Sequence, residues 1–219
     1  MIKTRLFTIV TLLLGIASMS YAQDSILIHY NSPDRYNAII NDLNNIQYIS
    51  IVCKDVHAHD KKFRFVIDEY REGKLILSDT TALKCEEELI PIEVNGRMVN
   101  YKLSLCDKKM FTPGDSIFQI DIAGKLTDKT FKLLIRYPQI QEQKELKGDA
   151  DYSLRTISCD HNEKQQILVG KLTPVLAYCP PFDTGHGMNS YCILGSENTA
   201  DWYKKFKIKH YYVISLVVQ

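Results

Sequence analysis

Cys53, Asp55, His57 and His59 alternate with other residues, so on an extended segment all four project to one face. Two imidazoles two residues apart on a strand make a workable pair of metal ligands, and His57 with His59 is the candidate metal pair of this chain. Closing such a site takes further donors, for which Asp160 and His161 are available. Lys54, Asp60 and Lys61 make the same segment polar on both faces, the pattern of a turn between two strands.

A second group of reactive side chains falls between Cys179 and Cys192. Asp183-Thr184-Gly185 resembles the triplet of aspartic proteases, in which paired carboxylates share a proton to activate water. That chemistry needs a second copy, and the chain has none. His186-Gly187-Met188, with Gly195-Ser196-Glu197-Asn198 beyond it, is similar to the histidine region of papain-like cysteine proteases, but no nucleophile region precedes it. Neither constellation is complete. The segment reads instead as an ordered surface loop with Phe182, Asp183, His186 and Asn189 as its candidate binding residues. Pairing of Cys179 with Cys192 is the expected closure of that loop.

Six cysteines without a Cys-x-x-Cys spacing, in a chain with an export signal, favour disulfides over structural zinc. One pairing follows from register. Asn95-Gly96 is the dipeptide of a two-residue type I′ turn, and placing Val94 opposite Arg97 sets every following pair. Ile92 then faces Val99 and Ile90 faces Tyr101 on a mainly apolar side expected to meet the core. On the other side, Glu93 faces Met98 and Leu89 faces Lys102. Further out on that side Cys85 reaches Cys106, within disulfide range.

These groups are carried by a chain whose first 22 residues have the form of a secretory signal peptide. Lys3 and Arg5 precede the apolar run from Leu6 to Ile16, and Ser20-Tyr21-Ala22 supplies a cleavage site. The run is too short to span a bilayer, and no later segment is longer, so no membrane span is expected. Removing those residues leaves 25 basic against 26 acidic side chains, which gives nucleic acid no attraction. Lys204, Lys205, Lys207 and Lys209 read as a solvated edge. The leader, Gln23 behind it and the Ile, Lys, Asn and Tyr bias resemble small exported proteins of Bacteroidetes-type bacteria, which share no single activity. The leader implies an exported protein, periplasmic or secreted.

Positioning falls to short strands. Ser32-Pro33 reads as the start of a helix carrying Tyr36, Ile39, Ile40 and Leu43 at helical spacing. Strands are expected at Ile46 to Cys53, Lys62 to Tyr70 with Lys74 to Asp79 around Glu72-Gly73, and Ile117 to Ile122. Others follow at Phe131 to Tyr137, Tyr152 to Ser158, Gln166 to Tyr178, Tyr191 to Leu194 and Tyr211 to Val218. Thr199 to Phe206 reads as a helix capped by Asn198, and residues 138–151 as a linker that would allow a subdivision. The expected fold is mainly β: one domain over 23–219, an antiparallel β-sandwich or open barrel with two short peripheral helices. No Gly-rich phosphate loop occurs, and no cofactor is implied. A binding or interaction domain with an unknown protein or glycan partner is the leading expectation. A metal-dependent hydrolase or metal-binding protein using His57 and His59 is the alternative. Thirteen tyrosines and one tryptophan, Trp202, give no evident platform for stacking sugars.

Overall fold

The computed structural model describes residues 24–55, 58, 61–81, 87–104, 117–137, 141–157, 164–183, 189–190 and 198–219. For 87–88, 101–104 and 189–190 it describes the backbone alone. The strands are β1 (Ser25–Asn31), β2 (Ile46–Cys53), β3 (Phe63–Arg71), β4 (Lys74–Thr80), β5 (Glu87–Val94), β6 (Arg97–Ser104), β7 (Phe118–Thr127) and β8 (Thr130–Arg136). They continue as β9 (Gln141–Lys147), β10 (Ser153–Thr156), β11 (Lys164–Leu168), β12 (Leu172–Cys179), β13 (Phe182–Asp183), β14 (Asn189–Ser190) and β15 (His210–Val218). Helix α1 (Arg35–Leu43) joins β1 to β2, and α2 (Trp202–Phe206) precedes β15.

A six-stranded sheet, β11-β1-β2-β7-β8-β9, and a five-stranded sheet, β10-β12-β15-β3-β4, are antiparallel throughout and share one apolar core. The expected β-sandwich is therefore the fold, and the chain closes no barrel among the described strands. Alternation builds the core: Ile26, Ile28 and Tyr30 point inward from β1, and Phe63, Phe65 and Ile67 from β3. Rings meet across the gap, Phe63 on Phe118 at 4.7 Å and Phe131 on Tyr178 at 4.0 Å between centroids. Gly124 makes room for that stack, since a Cβ there would stand 2.0 Å from Phe131 Cζ.

β15 is central and buried on both faces, as its continuous apolar run requires. Tyr212, Ile214, Leu216 and Val218 enter the core. Tyr211 and Val213 enter a second cluster on the outer face, with Ala177, Cys179, Phe182, Ile208 and the fully buried Trp202. The short α2 exists to seat that tryptophan. Its approach is capped as expected, with the Asn198 side chain accepting from Ala200 N–H.

Four expectations change. The helix is capped by Asp34 rather than by Ser32, because Asp34 Oδ1 accepts from Asn37 N–H at 3.0 Å and Oδ2 from Asn37 Nδ2 at 2.6 Å. Residues 141–147, read as part of a linker, form β9, whose polar residues suit an exposed edge with only Leu146 turned in. Strands from before and after β9 pair within both sheets, so no subdivision falls there. The Asn95-Gly96 hairpin has the expected register, Val94↔Arg97 through Glu87↔Ser104, with φ of 52° and 74° at the turn. Its apolar side, however, does not face the core: Ile92 is 38% exposed and Val99 48%, and β5–β6 forms a ribbon of its own. Register fixes which side chains share a face, but not what that face meets. The strand expected at Tyr191 to Leu194 lies outside the described residues.

Candidate binding cleft

The first segment of α1 follows directly from β1, and its last turn returns to β2, so the helix spans the end of two neighbouring strands of the larger sheet. Its stripe of Tyr36, Ile39, Ile40 and Leu43 has helical spacing but faces solvent, with Tyr36 73% and Leu43 75% exposed. No residue of α1 is buried. The opposite, polar side of the helix, Asn37 and Asn41, looks across a gap to the sheet. Cavities of about 390 and 430 Å³ flank the helix and share Asn31, Ser32, Pro33, Asn41 and Tyr48 as walls.

Register assembles the floor of the smaller cavity. Asn31 pairs with Ser50 across β1 and β2, and Ser50 pairs with Asp121 across β2 and β7, so three polar side chains line up across the outer face. Asp121 Oδ1 accepts from Tyr48 Oη at 2.6 Å and from Gln119 Nε2 at 2.7 Å. Burial first, and then this bond to a carboxylate, push the Tyr48 phenol up to about 12. Ser50 is only 2% exposed, on the cavity wall close to that phenol, and its Oγ makes no hydrogen bond of normal geometry. Asp68 Oδ1, Tyr178 Oη and Trp202 Nε1 are likewise unpartnered, but Tyr178 and Trp202 are packed inside the two apolar clusters. Ser50 differs in that its residue lines a cavity, with Oγ itself covered. In the larger cavity Gln47 is fully engaged, Nε2 donating to Tyr152 O at 3.3 Å and Oε1 accepting from Leu154 N–H.

A second polar assembly lies where β3 ends and β15 begins. His210 Nε2 is 3.1 Å from Glu69 Oε1, and Tyr152 Oη is 3.1 Å from both His210 Nδ1 and His210 O. Arg71 donates to the same Glu69 oxygen through Nε at 2.8 Å and a terminal nitrogen at 2.6 Å. Burial holds His210 below its ordinary value, more strongly than Glu69 raises it. With the imidazole neutral and protonated on Nε2, it donates to Glu69, while the single Tyr152 hydroxyl proton is shared between the His210 carbonyl and Nδ1. These four side chains clasp the segment before β10 against the smaller sheet.

The side chains singled out from sequence are largely elsewhere. His57, His59, His161, His186, Cys85, Cys106, Cys159 and Cys192 lie outside the described residues. Among the described residues no three metal-ligating side chains cluster. Phe182, expected to offer itself to a ligand, is instead a core anchor, 3% exposed and 4.7 Å from the Phe206 ring. Asp183 is exposed and pairs with Asn189 in the two-residue β13–β14 ladder. Cys53 and Cys179 are free, buried thiols, both pushed up by burial, Cys179 to about 12. Cys179 is the last residue of β12 and is packed inside the second cluster, while Cys192, its expected partner, lies outside the described residues.

Asn31, Asn41, Tyr48, Ser50 and Gln119 were not legible as a site, since no motif joins them. The available signal was weak: Tyr48 with Ser50 and Gln119 with Asp121 are polar at period two inside apolar strands. No family model matches the chain, nor does any curated protein or solved structure.

Proposed function

We propose that this chain is an exported binding module whose ligand seat is the cleft between α1 and the outer face of the larger sheet. The observation that carries this reading is Ser50 Oγ, a buried hydroxyl without a partner on a cavity wall. Burying an unsatisfied polar group costs about 1–3 kcal/mol, and a ligand hydroxyl that reaches past the wall to Ser50 Oγ recovers that cost. Amides and hydroxyls dominate the cleft, which suits recognition rather than bond breaking. The signal-like leader supports export to a periplasmic or extracellular location. The β5–β6 register supports a Cys85–Cys106 bridge, two pairs beyond Glu87↔Ser104, and non-reducing peptide mapping should recover the two peptides joined.

A thermal-shift screen of the mature chain against neutral, acidic and amino sugars, amino acids and short peptides tests the reading. At least one class should raise the melting temperature, and Asn41→Trp, which fills the cleft from the exposed helix, should abolish the shift. A screen with no shift, or a shift that survives Asn41→Trp, overturns it.

A further inference from the structure

We propose that the smaller cavity takes an uncharged, hydroxyl-rich ligand, a short neutral saccharide, with the Ser50 hydroxyl as its buried contact. The inference rests on the binding reading above and adds the ligand class.

The polar groups of the cleft divide into engaged and open. Asp34 is engaged through both oxygens at the helix N-terminus, so the positive end of the α1 dipole already holds a carboxylate. Asp121 Oδ1 already accepts two bonds. With Asp34 on the cavity wall, Asp121 behind the wall residues Tyr48 and Gln119, and Asp42 across the helix, a phosphate, sulfate or uronic acid meets repulsion and finds no free helix end. What stays open is the carboxamides of Asn31 and Asn41, the hydroxyls of Ser32 and Ser50, and the Gln119 carbonyl oxygen. Each of the first four both donates and accepts, and a ligand hydroxyl is the group that answers both at once.

An extended peptide fits less well. It binds best by adding to a sheet edge, and both strands beneath the cleft are interior, β1 between β11 and β2, β2 between β1 and β7. The smaller cavity also offers Pro33 as its one aliphatic wall, which gives an apolar side chain no pocket. Its volume of about 390 Å³ falls at the low end of small-molecule sites, sufficient for one or two sugar rings.

Calorimetric titration of the mature chain with neutral di- and trisaccharides of gluco, galacto and manno configuration is the test. The matching uronic acids, amino sugars and a Gly-Ala-Gly tripeptide serve as controls. Binding of a neutral sugar is expected, weakened roughly tenfold by Ser50→Ala and by Asn41→Ala as each removes a ligand hydrogen bond. Asn41 lies on a helix with no buried residue, so that arm stands even if Ser50→Ala were to fold poorly. If the charged sugars or the tripeptide bind, in a manner lost with Asn41→Trp, while neutral sugars do not, the ligand class is wrong and the cleft reading survives. If a neutral sugar binds unchanged in both alanine variants, the assigned contacts are wrong. If nothing in the panel binds, both readings fall.

Discussion

The clasp around His210 and the cleft beside α1 are built from the same materials, and they differ in what their polar atoms face. Both gather side chains from strands far apart in sequence, and both sit near the ends of strands. In the clasp, Glu69, Arg71, Tyr152 and His210 engage one another, with every contact between 2.6 and 3.1 Å. In the cleft, Ser50 has no partner and Asn31 and Asn41 look across open space. A satisfied network adds rigidity and stability, whereas an unsatisfied one on a cavity wall stores a preference for something not yet bound. Damage to the clasp should therefore appear as lost stability, and damage to the cleft should not.

The largest effect is expected from Glu69→Ala. It strips a mostly buried carboxylate that two cations or donors share, and should cost about 2–3 kcal/mol in urea unfolding. A loss below about 0.5 kcal/mol would mean that the clasp is decoration on the sheet end. Tyr152→Phe keeps the ring between Tyr178 and His210 and removes only the hydroxyl, for which about 1 kcal/mol is expected by the same measurement.

A smaller effect should appear as pH dependence. Burial holds the folded His210 below the ordinary imidazole value of 6.5, so the unfolded chain takes up this proton at higher pH than the fold does. Its contribution is therefore complete above pH 6.5 and is lost as pH falls through that value toward the folded one. Charges and phenols around the ring from each packed element are Glu69 and Arg71 on β3, Lys147 on β9, Tyr152 before β10, and Tyr212 on β15 itself. His210→Gln should flatten the fall of the melting temperature between pH 7.5 and 5.5. His29 is also held low by burial and by Lys164 and Lys54, so the difference between the two proteins, not the slope of either, isolates His210. Parallel slopes in the two proteins would remove His210 from the clasp's energetics.

The same contrast explains what could be read from sequence. Local chemistry spoke plainly: Glu72-Gly73 and Asn95-Gly96 carry φ of 48° and 76° and of 52° and 74°, and each turn fixed a hairpin. The run from Tyr211 to Val218 reads as a strand, and it is the central strand of the smaller sheet. Facing was harder. α1 has the periodicity of a core helix and turns its stripe outward, because the sheet face beneath it is the polar row Asn31, Ser50, Asp121 and gives that stripe nothing apolar to meet. That row exists only once three strands are in register, and Glu69, Tyr152 and His210 likewise have no sequence relation until β15 lies beside β3. Motif reading was drawn to clustered His, Cys and Gly, whereas this fold disperses its polar chemistry across a sheet.

The smallest effect, and the sharpest, is expected from Ser50→Ala. In most buried positions, deleting a hydroxyl loses a hydrogen bond and destabilises by about 1 kcal/mol. Beyond an irregular contact with the Tyr48 phenol, Ser50 Oγ has none to lose, and the methyl left behind is the better occupant of a site 2% exposed. Unfolding by urea should therefore give a stability equal to the parent or a few tenths of a kcal/mol above it. A loss of about 1 kcal/mol or more would show that Ser50 has a structural partner, and the contrast between cleft and clasp would collapse. A variant unchanged in stability but deficient in sugar binding is the result that separates a hydroxyl kept for a ligand from one kept for the fold.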